Sequence, residues 1–324
     1  MAATESRRLI KFGNSSFVVS LPKEWIEKNR LKKGEAIFFS ENSSNEIVLS
    51  CKAYKDESKE TVLNIDKKDK KSLEKEIISL YIRGCNPIVL TGKNIRKDEE
   101  SIRKIADKLS GVEIIDQDAG KIVLKDLLDI EQVSPKNFIR KMDNTVKSMI
   151  EDLEVYIERG EIRPKEYTDL YNFDSEVNKF YFLIWKITLK ALSNQSLIPK
   201  LETNNLELVK LWWMSMNIER IGDEIKRMAR SLSKIYLWKS KKEELLNLYA
   251  IIKDLYFKAM ESYFKNDFKL AEEVSVRKNE TIFKCDVLAE DKIAEVGKIG
   301  ERLKSLHTYI HHLTKCVMYF SHSY

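Results

Sequence analysis

Cysteine, proline and glycine are all scarce in this 324-residue chain, which has 4 Cys, 5 Pro and 10 Gly. So little glycine and proline excludes a collagen-like, proline-rich or turn-dense all-β protein. The cysteines, at positions 51, 85, 285 and 316, show neither C-x-x-C spacing nor a framework pattern. A cytoplasmic protein is therefore expected, not a secreted one built on disulfides. Long apolar runs are missing too. A membrane span needs roughly 18 apolar residues, and the best stretch, Tyr181–Trp185, is closed off by Lys186 and Lys190, so no membrane insertion is expected. The N-terminus lacks a charged-then-apolar signal segment. There is no Walker A loop, G-x-S-x-G elbow or Rossmann fingerprint, and nothing assembles a catalytic site, so a non-enzyme is expected.

What is present is charge. Charged residues make up 33% of the chain and hydrophobic ones 43%, with 57 Lys+Arg against 51 Asp+Glu. The excess is concentrated at the start. Residues 1–33 carry eight bases (Arg7, Arg8, Lys11, Lys23, Lys28, Arg30, Lys32, Lys33) and three acids (Glu5, Glu24, Glu27), a local 8 − 3 = +5. That is an electrostatic footprint for a polyanion, although a solvated lysine-rich surface has the same composition.

The length suggests two or three domains, and the patterning gives three regions. Residues 6–52 predict four short strands and one helical turn. The strands lie around Arg7–Lys11, Phe17–Leu21, Ala36–Ser40 and Glu46–Ser50, with turns at Gly13–Ser16 and Asn42–Asn45 and a helix over 23–28 behind Pro22. So small a unit encloses a core poorly and is expected to dimerise. Residues 60–130 predict a βαβαββ module, with helices over 72–83 (Ser72 as N-cap) and 98–109 and a hairpin around Gly120. It has no phosphate-cradling glycine loop, so it reads as a spacer or dimerisation module before a small-ligand sensor. From Pro135 the chain is helical, with periodic stretches near 136–159, 163–193, 203–232, 241–264, 267–296 and 298–320. These helices form a loose internal repeat of three plus three: residues 152–184 align with 259–288, and Glu219–Asp223 with Glu301–Ser305.

The stretch RRLIKFGNSSFVVSLPKEWIEKNRLKKGEAIFF, with the later NEIVL, resembles the AbrB/MazE/SpoVT swapped-hairpin DNA-binding domain. The resemblance implies an intertwined β-barrel dimer that presents basic residues to DNA. At matching positions it nominates Arg7, Arg8, Lys11 and Lys23, with Asn14 and Ser15 as hydrogen-bonding partners. The stretch MNIERIGDEIKRMA, residues 216–229, and more loosely DSEVNKFYFLI, residues 174–184, resemble the PhoU family of phosphate-uptake regulators. The whole arrangement is similar to the archaeal phosphate-uptake-regulator proteins. The implied fold class is multidomain α+β: a swapped-hairpin domain over 1–55, the small α/β module over 58–130, and a PhoU-like helical domain over 135–324. The last would divide into three-helix bundles at about 135–235 and 240–322.

The PhoU resemblance also implies a divalent metal or iron ion on the first bundle. Carboxylates four residues apart share a helical face, so Glu219 and Asp223 can aim at one ion, with Asp174 and Asn178 on the facing helix. The sequence departs from the pattern by placing Asn178 where a second acid is usual and Arg227 where an Asn is usual. The plainer expectation is a charged surface on which Asp223 pairs with Lys226 or Arg227. In the second repeat the matching positions are Lys278, Ile282, Glu301 and Ser305, so no second metal site is expected. His307 and His311, four apart, with His312 and His322 nearby, read as bundle-packed before metal-bound, and Trp185, Trp212 and Trp213 as packing. The function implied is a dimeric DNA-binding transcriptional regulator of phosphate homeostasis, whose tail senses status through a ligand or partner. The alternative is an adaptor contacting phosphate transporter subunits or a signalling protein, with the head used to dimerise.

Overall fold

A computed structural model describes residues 6–41, 46–51, 60–93 and 95–320; the turn expected at Asn42–Asn45 and His322 lie outside them. The chain divides into two compact units, Met1–Glu57 and Ser58–Tyr324.

The first unit holds β1 (Ile10–Phe12), β2 (Ser16–Val18), α1 (Lys23–Lys28), β3 (Phe38–Glu41) and β4 (Ile47–Ser50). Gly13, at φ +68°, makes the β1–β2 turn, where a left-handed backbone favours glycine. Pro22 sits one position before the first turn of α1, and its carbonyl accepts from the N–H groups of Trp25 and Ile26 at 3.1 and 3.2 Å. Among the described residues of this unit strands pair only within the two hairpins, β1 with β2 and β3 with β4, and form no closed barrel. Strands of three or four residues are too short and too few to close one. Among the described residues of this unit none is buried. Ile10, Phe12, Phe17, Phe39 and Ile47 are each more than half exposed.

The second unit opens with β5 (Thr61–Asn64), α2 (Lys70–Ile82), β6 (Ile88–Thr91), α3 (Ile95–Asp107), β7 (Val112–Gln117) and β8 (Lys121–Asp126). The sheet order is β5-β6-β8-β7, with β5 and β6 parallel and the other pairs antiparallel. Ile77, Leu90, Ile95, Ile102, Ile122 and Leu124 form its core. The cap of α2 is Asp69, not Ser72: its Oδ1 accepts from the N–H groups of Lys71 and Ser72 at 2.9 and 3.0 Å. A carboxylate suits the positive helix terminus better than a hydroxyl two residues inside it.

After a 3₁₀ turn at Ile130–Gln132 come α4 (Pro135–Arg159), α5 (Pro164–Ser193), the short α6 (Leu197–Lys200), α7 (Asn205–Leu232), α8 (Lys239–Lys265), α9 (Phe268–Val276), α10 (Lys278–Ala289) and α11 (Ala294–Phe320). The α4–α5–α7 and α8–α9/α10–α11 bundles share one core, in which Met149, Leu153, Ile218 and Ile225 join Tyr249, Ile252, Leu303 and Ile310. The single helix expected over 267–296 is broken at Arg277 and ends at Ala289. Asp291 turns the chain by accepting from the Ile293 N–H at 2.8 Å. Gly297 and Gly300 lie in the first turns of α11, where added Cβ atoms would stand 2.8 Å from the Ala289 carbonyl oxygen and 2.5 Å from its nitrogen.

The repeat survives in its turns. Gly160 after α4 and Asn266 after α8 are both left-handed, at φ +88° and +53°. Gly160 also meets the following chain, because its carbonyl accepts from the Leu237 N–H at 2.9 Å and an added Cβ would lie 2.8 Å from the Leu237 oxygen. Gly160→Ala is expected to destabilise by about 1–3 kcal/mol, measured by urea denaturation; a loss under about 0.5 kcal/mol would mean the turn can relax.

Helix α5 docks the α/β module on the bundles. Phe182 and Trp185 pack against the module core, and the Lys179 ammonium donates to the Asp107 carbonyl at 3.1 Å. Lys186, almost fully buried, pairs with Asp126 and lies 4.5 Å from the Tyr81 ring centroid. Asp126 is held in turn by Asn86, whose amide donates to its carbonyl at 2.9 Å and whose side-chain oxygen accepts its N–H at 3.1 Å.

Candidate functional site

In the first unit, alternation along β1 and β2 sorts the side chains. Register places Ile10 opposite Val18, Lys11 opposite Phe17 and Phe12 opposite Ser16. Ile10, Phe12 and Val18 therefore share one face and Lys11 lies on the other. Arg7 and Arg8 precede β1, Asn14 and Ser15 occupy the turn, and all of these residues are exposed. Three of the six nominated residues thus belong to one hairpin, and Arg7 and Arg8 lie in the segment leading into it. Lys23 opens α1 with its side chain 89% exposed, 3.5 Å from Glu27.

In the second unit, α5 supplies Asp174 and Asn178, and α7 supplies Glu219 and Asp223. The structure brings the acids together and adds a residue that the candidate site had lacked. The Lys226 ammonium, one turn after Asp223, lies 2.6 Å from Asp223 Oδ1 and 2.6 Å from Asp174 Oδ2, bridging the two helices. Arg227 binds the other Asp223 oxygen at 2.6 Å and Glu224 at 2.7 Å, and Arg302 of α11 stands 3.5 Å from Glu224. Asn178 turns back on its own helix, donating to the Asp174 carbonyl at 2.9 Å. Asp174 is 4% exposed, and its Oδ1 is buried without a hydrogen-bond partner. The Lys226 side chain also lies 5.7 Å from the Tyr171 ring centroid.

The electrostatics follow from burial and crowding. Burial raises the Asp174 carboxyl, and Lys226 opposes the rise. Burial, then the neighbouring Asp223 and Asp174, push Glu219 up to about 7. Burial pulls Lys226 down, but Asp174 and Asp223 outweigh it, so the ammonium is held charged more firmly than a free lysine.

Three facing carboxylates are oxygen-rich, as a hard cation requires. The arrangement nonetheless does not fit a divalent metal or iron ion. Lys226 occupies the space between two of the acids, Arg227 takes the remaining Asp223 oxygen, and Asn178 is engaged with its own helix. Among the described residues no group of three or more His, Cys, Asp or Glu side chains is placed to hold a metal ion. The pairing of Asp223 with Lys226 was legible from the i,i+3 spacing; the reach across to Asp174 was not, because nothing in the sequence fixes how α5 and α7 align.

Histidines 307 and 311 face into the second bundle. His307 is fully buried, and burial pulls both down to about 4. The His311 Nδ1 lies 3.2 Å from the Ser275 hydroxyl, and the His312 Nδ1 lies 3.2 Å from Asn217 Oδ1. Trp213 donates to the His312 carbonyl at 3.0 Å, and the Trp185 and Trp212 ring centroids lie 6.3 Å apart with their planes tilted by 53°.

Comparison with known proteins matches the N-terminal unit and the first helical bundle of this architecture. Residues 10–59 match the family model described as antidote-toxin recognition MazE, bacterial antitoxin, and residues 139–232 match that of the PhoU domain. No curated protein matches the chain. The protein thus joins a MazE/AbrB-type N-terminal domain to a PhoU domain. That content supports a phosphate-homeostasis regulator with a DNA-binding-type N-terminal domain. Both domains are regulatory or antitoxin types, not enzymatic families. Among the described residues no helix is long and apolar enough to cross a membrane.

Proposed function

We propose that this protein is a dimeric transcriptional regulator of phosphate homeostasis that binds operator DNA through its N-terminal unit. The observation that carries the reading is the β1–β2 hairpin and the segment leading into it, where Arg7, Arg8, Lys11, Asn14 and Ser15 are all exposed, with an apolar hairpin face of Ile10, Phe12 and Val18. Arginine reads guanine edges and lysine holds phosphates, while an unburied apolar hairpin face is suited to a second copy of the chain. Lys23 adds a further exposed cation. The helical domain reads phosphate status through a ligand, phosphate transporter subunits or a signalling protein. One helix, α5, carries both Asp174 at the acidic cluster and Lys186 at the α/β module, 186 − 174 = 12 residues apart, or about 18 Å along the axis. A change at the cluster therefore has a rigid element along which to reach the module.

The test is fluorescence anisotropy with duplex DNA from the protein's own upstream region, across a salt series. The full chain should bind in a sequence-dependent way that weakens steeply with salt. Replacing Arg7, Arg8 and Lys11 with alanine should lower affinity roughly 100-fold or more and reduce the salt slope by about 3. The dimer should persist by light scattering. Unchanged binding in the triple variant would overturn the reading. The second reading, a PhoU-like adaptor whose head serves to dimerise, draws on the exposed apolar residues of both hairpins, such as Phe12, Phe39 and Ile47. It expects weak, sequence-indifferent binding and unaltered regulation in the same variant.

A further inference from the structure

We propose that Lys226 is the resident cation of the first bundle, its ammonium standing where a divalent ion would otherwise neutralise Asp174 and Asp223, so that the helical domain is held together without metal. The inference is independent of what the N-terminal unit binds.

The geometry is that of a bridge. A single ammonium lies at 2.6 Å from a carboxylate on α5 and at 2.6 Å from a carboxylate on α7. Both ends are shielded: the side chains of Lys226 and Asp174 are 14% and 6% exposed. Two carboxylates brought this close need a cation between them if both are to stay ionised, because like charges in a poorly solvated site repel strongly. A lysine supplies it covalently, with no loss on dilution and no dependence on ion concentration.

The surroundings are adjusted to one positive charge. Asn178 contributes a neutral amide to the cluster. Arg227 neutralises the outer oxygen of Asp223 and ties it to Glu224, which Arg302 approaches from α11. The buried Asp174 Oδ1 is left without a partner and is the one feature a metal would have satisfied better. Lys226 cannot reach both Asp174 oxygens while it also holds Asp223. The second repeat places another lysine, Lys278, at the position matching Asp174, so neither bundle retains the acid set in a form that calls for a metal.

The experiment uses the full chain and reads thermal unfolding together with Mn²⁺ binding followed by loss of the free-ion electron paramagnetic resonance signal. Wild type should melt at one temperature in EDTA, Mg²⁺ or Mn²⁺, and should bind no stoichiometric Mn²⁺. Lys226→Ala should melt lower in EDTA, recover with added Mn²⁺ in a saturable way, and bind about one ion per chain, because Asp174 and Asp223 then lose the cation between them. Lys226→Arg should stay metal-independent. Should Lys226→Ala fail to fold, the paired change Lys226→Met with Asp174→Asn restores a near-neutral site and should fold without metal or Mn²⁺ binding. Saturable Mn²⁺ binding by wild type that is lost in Asp174→Asn would overturn the proposal. So would a folded Lys226→Ala that ignores Mn²⁺.

Discussion

Lys186→Met is expected to destabilise the second unit by about 3–5 kcal/mol, the loss typical when one partner of a buried ion pair is removed. The side chains of Lys186 and Asp126 are 3% and 12% exposed. The variant would leave the Asp126 carboxylate facing the apolar junction with no compensating charge. It would also remove the cation 4.5 Å from the Tyr81 ring, whose hydroxyl is already committed to the Ser110 carbonyl at 3.0 Å. Asp126 cannot readily swing away, because its backbone is clamped by both ends of the Asn86 amide and its Oδ1 accepts from the Leu128 N–H at 3.1 Å. Denaturant unfolding followed by circular dichroism measures the loss. Adding Asp126→Asn should restore more than half of it, since the neutral pair no longer strands a charge. A single variant within about 1 kcal/mol of wild type would show that water reaches the pair and that the α5–module junction does not depend on it.

The second large effect concerns acid. His307 is fully buried, and burial, with the nearby Lys278 charge also disfavouring a proton, lowers it to about 4 from an ordinary 6.5. Below pH 6.5 the unfolded chain binds a proton there and the folded chain does not until pH falls to about 4. Stability is therefore lost as pH drops through that window and is unaffected above it. The shift corresponds to roughly 3 kcal/mol from this residue. Glu219, held up at about 7, titrates with the opposite sign: protons favour the folded form, and stability is lost as pH rises from 4.5 to 7. The readable quantity is consequently the stability difference between wild type and His307→Leu. That difference should change by roughly 3 kcal/mol in favour of the variant between pH 7 and pH 4. A difference constant across the range would mean that His307 is reached by solvent or protonated in place.

The sequence foretold elements better than contacts. Helix α1 lies where Pro22 and the 23–28 pattern placed it, and the order βαβαββ followed from alternating periods and turn residues. The failures were local and electrostatic. Asp69 capped α2 in place of Ser72, since charge at a helix terminus outweighs position in the periodic run. Gly297 and Gly300 let α11 approach the end of α10, which the periodicity alone did not show. That Lys11, Asn14 and Ser15 lie close together was legible because a hairpin keeps sequence neighbours in spatial proximity. Lys226 was half legible: its i,i+3 partner Asp223 lies on its own helix, whereas Asp174 lies 52 residues away.

By itself, then, the sequence determined the class of each segment and the basic start, because these depend on composition, periodicity and nearest neighbours. Only the tertiary structure decided that Lys226 stands among the acids, that Lys186 is buried against Asp126 and that the two bundles share one core. Each of these depends on how one helix slides and rotates against another. That alignment is set by the summed packing of many apolar side chains and leaves no local trace in the chain.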